Sequence, residues 1–77
     1  MAVVRFFAAA EEAVGAPQLS VAADDLGHLR ETLSKQHPDL AAILPRCAVL
    51  VDGARLDDAA ALPDGAVVDV LPPFAGG

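Results

Sequence analysis

A single apolar stripe at helical spacing constrains this chain more than any other feature. Leu26, Leu29 and Leu33 recur at i, i+3 and i+7, while Arg30, Glu31, Ser34 and Lys35 fall on the other side. Residues 26–37 therefore read as one amphipathic helix with a narrow buried face. Asp25 stands where an N-cap carboxylate accepts from free first-turn amides, and its charge suits that end of the helix dipole. Gly27 weakens the same turn by about 1 kcal/mol relative to Ala. Pro38 ends the helix, because the residue before a proline is pushed out of the α region. His37 is then a last-turn residue favourable to the dipole, and His28 lies on the surface. One such helix covers only one face of a sheet, which predicts a two-layer α+β domain with the other sheet face open.

The rest of the chain supplies the strands. In residues 2–7, Ala2, Val4 and Phe6 alternate with Val3, Arg5 and Phe7, and Arg5 marks the second set as the open face. Residues 8–14 are too short for a stable lone helix and are broken by Gly15-Ala16-Pro17, so a helical turn within a connection is expected. Leu19 and Val21 predict a short second strand, with Pro17 tolerable at an edge. Residues 39–44 form a further helical turn carrying Leu40, Ile43 and Leu44 to the core edge. Residues 46–51 read as a third strand, with Cys47, Val49 and Val51 on one face. Asp52-Gly53 is a tight-turn signal, residues 54–56 a short fourth strand, and Pro63-Asp64-Gly65 another turn. In the last strand, residues 66–71, Val68 and Val70 point inward and Val67, Asp69 and Leu71 outward. Val3, Phe7, Leu50, Val67 and Leu71 thus share the open face, and a contiguous apolar group there indicates a partner surface.

Composition removes several function classes. The chain has 77 residues, enough for one domain, and a net charge of −6 that repels nucleic-acid phosphates. It holds no Trp or Tyr for base stacking. No apolar run approaches the roughly 18 residues of a membrane span, and residues 1–7 lack the layout of a secretion signal, so cytoplasmic residence is expected. The one cysteine, Cys47, excludes a disulfide framework and reads as a buried inert thiol. Glu11, Glu12, Asp57, Asp58 and Asp64 show no ligand spacing and read as solvated charge. No phosphate-binding loop or dinucleotide glycine pattern is present. No bound cofactor or metal is expected.

The chemistry is expected at the end of the chain, where Pro72-Pro73 is followed by Phe74-Ala75-Gly76-Gly77. Residues 1–73 form the domain and 74–77 a slim, flexible tail. Four residues reach at most about 13–14 Å, enough to thread a narrow channel while the body docks outside. Gly76 and Gly77 pass a constriction with nothing bulkier than backbone, and the two prolines aim the arm and limit the entropy lost on insertion. Phe74 either anchors at the channel mouth or folds back on the sheet.

Residues 4–8 (Val-Arg-Phe-Phe-Ala), Glu12-Ala-Val-Gly15, Val51-Asp-Gly53, Leu62-Pro-Asp-Gly65 and the ending Leu71-Pro-Pro-Phe-Ala-Gly-Gly77 resemble the MoaD-type sulfur carriers of the MoaD/ThiS family. The resemblance spans essentially the whole chain. It implies a ubiquitin-like β-grasp fold: a mixed sheet of about five strands with one main helix on one face. It also implies that Gly77 is adenylated with ATP by a ubiquitin-activating-like (MoeB-type) enzyme and converted to a thiocarboxylate. The chain would then be the small subunit of molybdopterin synthase. Its tail enters the MoaE-type large subunit and donates sulfur to cyclic pyranopterin monophosphate in molybdenum cofactor biosynthesis. Phe7, Leu50, Val67, Leu71, Pro73, Phe74 and Ala75 are the expected partner contacts, with Gly76 beside the reacting Gly77. The chain departs from the family in its acidic Ala9-Ala10-Glu11 stretch, where a basic residue is common, and in Phe74, where a smaller β-branched residue is common. Two alternatives stay open. One is the same tail chemistry for thiamine thiazole, cysteine, tRNA thiolation or a secondary metabolite; the other is a non-covalent ubiquitin-like interaction module.

Overall fold

The first and last strands lie side by side and parallel at the centre of the molecule. In the computed structural model, which describes residues 1–73, β1 (Ala2–Phe6) pairs in parallel with β5 (Val67–Leu71), Val4 opposite Val68 and Phe6 opposite Val70. β2 (Gln18–Val21) runs antiparallel to β1 at one edge. β3 (Ala48–Val51) runs antiparallel to β5, and β4 (Ala54–Arg55) runs antiparallel to β3 at the other edge. The sheet order is β2-β1-β5-β3-β4, a β-grasp arrangement.

The inward phase of each strand is the one the alternation predicts. Val4, Val68 and Val70 are fully buried and Phe6 nearly so. They meet α2 (Leu26–Gln36), whose Leu26, Leu29 and Leu33 are also fully buried. Each such side chain removed from water contributes about 1.5–3 kcal/mol before the entropy of ordering it. Asp25 caps α2 as expected, its Oδ1 accepting from the His28 amide at 2.7 Å. The Asp52-Gly53 turn has φ of 47° and 85°, the two left-handed residues of a type I′ hairpin. Asp52 also ties the hairpin to β5: its amide donates to the Val67 carbonyl at 2.8 Å, and its Oδ1 accepts from the Val67 amide at 3.1 Å.

Four local expectations are refined. The connection after β1 holds a six-residue helix, α1 (Ala9–Val14), closed by Gly15 at φ 84° with its amide on the Glu11 carbonyl. Tertiary burial of Ala10 supplies what so short a helix lacks by itself. Pro38 does more than end α2: it is the first residue of α3 (Pro38–Ile43), where its missing N–H is harmless. The third strand begins at Ala48 rather than residue 46, because Leu44–Arg46 form a 3₁₀ turn and the Cys47 amide returns to the Leu44 carbonyl at 3.0 Å. Arg30, expected in water, is half-buried and pairs with Asp58 at 2.9 Å. No helix among the described residues is long and apolar enough to cross a membrane.

Gly27 has a reason that helix propensity does not show. Its amide donates to the Asp58 carbonyl at 2.9 Å, and a Cβ at this position would stand 3.1 Å from the Asp58 Cβ and 3.2 Å from that carbonyl oxygen. The glycine lets the β4–β5 loop close over the first turn of α2. Propensity alone predicts that Gly27→Ala stabilises by about 1 kcal/mol. The close approach predicts instead a urea midpoint at or below that of the parent; a clear rise would show that the loop yields freely.

Candidate functional site

The sheet face opposite the helices is built by the outward phase of the three central strands. Register sets Val3 beside Val67, Arg5 beside Asp69, Asp69 beside Leu50, and Leu71 beside Ala48. Phe7 follows directly after β1, with its amide donating to the Val70 carbonyl at 3.3 Å and its side chain 39% exposed. Phe7, Leu50, Val67 and Leu71 therefore occupy one face, as the strand phases imply. Val3, Leu50, Val67 and Leu71 are each half-buried within it.

The centre of that face is not apolar. Arg5 reaches across to Asp69 in a two-point ion pair, Nε to Oδ1 at 2.5 Å and Nη2 to Oδ2 at 2.8 Å. The guanidinium carbon also lies 5.9 Å from the Phe7 ring centroid. The pair separates Val3 and Val67 from Phe7 and Leu71, so the apolar residues flank a charged clasp rather than forming one continuous patch. Its hydrogen bond to Asp69, followed by the charge of that carboxylate, raises the already high pKa of Arg5. In open solvent such a pair adds little to stability. Its geometry matters more, since a planar fork fixes the orientation of both side chains in the middle of the face. Each residue was legible as outward-facing; their meeting depends on the parallel pairing of the first and last strands.

The root of the tail adjoins this face. β5 ends at Leu71, followed by half-buried Pro72 and exposed Pro73, one of the expected partner contacts. Phe74, Ala75, Gly76 and Gly77, the remaining tail contacts and the expected reacting end, lie outside the described residues.

Two other titratable groups are perturbed. Cys47 is 9% exposed, and its Sγ donates to the Ile43 carbonyl at 3.3 Å. Burial pushes its thiol pKa up, and the nearby Arg30 charge offsets this in part. Asp64 pairs with the Met1 ammonium, which holds its carboxyl below the usual aspartate range through a hydrogen bond and through charge. Among the described residues, no group of three or more His, Cys, Asp or Glu side chains is placed to hold a metal ion.

The ThiS family model matches residues 4–77, which takes in nearly the whole chain. The chain belongs to the ThiS family. Among solved structures, this ThiS-family chain is similar to the Haloferax volcanii HVO 2177 protein, at 32% identity and a TM-score of 0.78 over 99% of this chain and 85% of that one. It is also similar to a chain in the complex of subunits 1 and 2 of the molybdopterin-converting factor from Helicobacter pylori. That likeness is 31% identity and a TM-score of 0.74 over 99% and 97% of the two chains. A putative molybdopterin converting factor subunit 1 from Pyrococcus furiosus shares the fold, with a TM-score of 0.87 at 21% identity over 95% and 97% of the two chains. No curated protein sequence matches the chain.

The raised pKa leaves less Cys47 thiolate at mildly alkaline pH than a free thiol has, and burial limits access to it. Alkylation by iodoacetamide at about pH 8 is expected to run at least about tenfold slower than for free cysteine and to recover in urea. Fast labelling of the folded chain would contradict the inert reading.

Proposed function

We propose that this chain is the sulfur-carrier subunit of a molybdopterin synthase. The observation that carries the reading is the end-to-end likeness to a chain of the complex of molybdopterin-converting factor subunits 1 and 2, at 31% identity. The geometry is consistent with it: the open sheet face and the start of the tail adjoin, so one docking event positions both.

The chemistry follows from the state of a terminal carboxylate. A carboxylate is a poor electrophile because it is anionic and has no competent leaving group. Attack by a Gly77 oxygen on the α-phosphorus of ATP releases pyrophosphate and gives an acyl-adenylate. A sulfur donor then displaces AMP and leaves a thiocarboxylate, a soft anionic nucleophile suited to sulfur transfer. The ATP belongs to a MoeB-type activating enzyme, since this sequence has no nucleotide-binding motif. The large, MoaE-type subunit supplies the active site and cyclic pyranopterin monophosphate receives the sulfur. Phe7, Leu50, Val67 and Leu71 dock the body, and residues 73–77 enter the channel. The proposed need for ATP and a reduced sulfur donor supports a cytoplasmic reaction.

Intact mass after incubation with ATP, a sulfur donor and the activating enzyme is expected to rise by about 16 Da as sulfur replaces one terminal oxygen. A Gly77-deleted variant is expected to show no rise. A rise in that variant, or none in the parent together with full activity of the deletion, would overturn the sulfur-carrier reading. Complementation of strains deficient in molybdopterin, thiamine thiazole, cysteine or tRNA thiolation separates this pathway from others that use the same tail; rescue is expected for the first.

A further inference from the structure

Cations are scarce in this chain, five Lys and Arg against eleven Asp and Glu, yet three of the five line one cleft. Arg30 of α2, Arg46 of the 3₁₀ turn and Arg55 of β4 border a concavity of about 310 Å³, with residues 45–49 along one side and Leu56 along another. The topology explains why it is open. β4 pairs only with Leu50 and Val51, so the outer edge of β3 at Ala48 and Val49 has no strand beside it among the described residues. The chain leaves the sheet after Arg55, and the gap between it and β3 is the cleft.

Charge and hydrogen bonding in the cleft are unbalanced. Asp58 is the one carboxylate found paired with any of the three arginines among the described residues. Even that pair is incomplete: Asp58 Oδ1 stands 2.9 Å from Arg30 Nε, but the N–H is not directed at it, and this fully buried nitrogen has no hydrogen-bond partner. A buried donor left unmade is unfavourable. Cys47 borders the cleft with its thiol committed to the Ile43 carbonyl, so it contributes shape rather than a nucleophile.

We propose that this cleft binds a phosphate dianion, free or as a small phosphate ester. Guanidinium groups match the geometry and charge of tetrahedral oxyanions, and the volume sits at the small end of ligand sites. The polar character of the cleft disfavours an apolar peptide anchor. Because Ala48 lies opposite Leu71, the bound anion sits at the outer edge of β3, across that strand from the end of β5. The proposal does not rest on the sulfur-carrier reading: the cleft lies on the β3–β4 edge, and although Arg55 is opposite Leu50 and Ala48 opposite Leu71, none of Phe7, Leu50, Val67 and Leu71 lines it.

The test is an amide and arginine-Nε NMR titration of the full chain with inorganic phosphate, at ionic strength held constant with chloride, and in parallel with adenosine monophosphate. Saturable shifts are expected at residues 46–49, Arg55 and Leu56, and at Arg30 Nε. Arg46→Gln and Arg55→Gln are each expected to weaken binding about tenfold. Lys35→Gln removes the same charge from outside the cleft and is expected to leave binding unchanged. Tighter binding of the monophosphate identifies an ester as the better occupant, and equal binding identifies free phosphate; both uphold the site. Linear, unsaturable shifts, or equal weakening by Lys35→Gln, would overturn it. So would a glutamate-rich peptide that saturates the same resonances at lower concentration than phosphate, because it would identify an acidic protein segment as the occupant. The Arg30 Nε readout in the unaltered chain keeps the test valid if an arginine variant fails to fold.

Discussion

Everything in this structure hangs on the parallel pairing of β1 with β5. It joins residues more than sixty positions apart, as the Arg5–Asp69 separation of 64 shows, so the whole chain must be gathered before the central pair exists. The entropy of closing such a loop rises only slowly with its length. It must nevertheless be met before the long-range contacts contribute. Burial of the inner side chains offsets it: Val4, Phe6, Val68 and Val70 press against Leu26, Leu29 and Leu33 as one core. With the ends of the chain at the centre, the connections are driven outward, and α1, α2, α3 and the hairpin all attach to this frame.

The same pairing creates the functional geometry. Once Val3, Arg5 and Phe7 lie beside Val67, Asp69 and Leu71, the outer face acquires both its apolar flanks and its charged clasp. A face of this kind suits a partner that is selected rather than merely sticky, because a desolvated Arg–Asp fork must find matching polar groups. The last strand serves twice. Its inner residues hold the core, and its end sets Pro72 and Pro73 at the edge of the face. Under the proposed sulfur-carrier function, recognition would rest on the sheet and chemistry on Gly77.

How much of this was legible in the sequence depended on range. Period-two alternation in residues 2–7 and 66–71 and the Leu26, Leu29, Leu33 stripe correctly assigned the buried and open phases, since those patterns record burial directly. Asp25 as a cap and Asp52-Gly53 as a turn were equally readable, because each acts on backbone within a few residues. Features that require distant segments to meet were not. Arg30 looked like a surface residue until the loop carrying Asp58 folded over it, and Gly27 looked like a weak helix position until that loop's carbonyl approached its amide. Pro38 was readable as a stop but not as a start, since its N1 role depends on residues 39–43 finding a core face through Leu40. The cleft between Arg30, Arg46 and Arg55 had no local signal at all; it arises from the shortness of β4.

The central claim is that the sheet face carries the affinity for a large synthase subunit and the end of the tail carries the chemistry. Titration calorimetry of that subunit against two variants tests it most directly. Leu50→Asp sets a carboxylate in the docking face between Asp69 and Arg55, where a partner must desolvate it, and is expected to weaken binding at least about a hundredfold, whereas removal of Gly77 is expected to change it by less than about tenfold. The reverse order, with Leu50→Asp binding normally and the shortened tail binding poorly, would contradict the account.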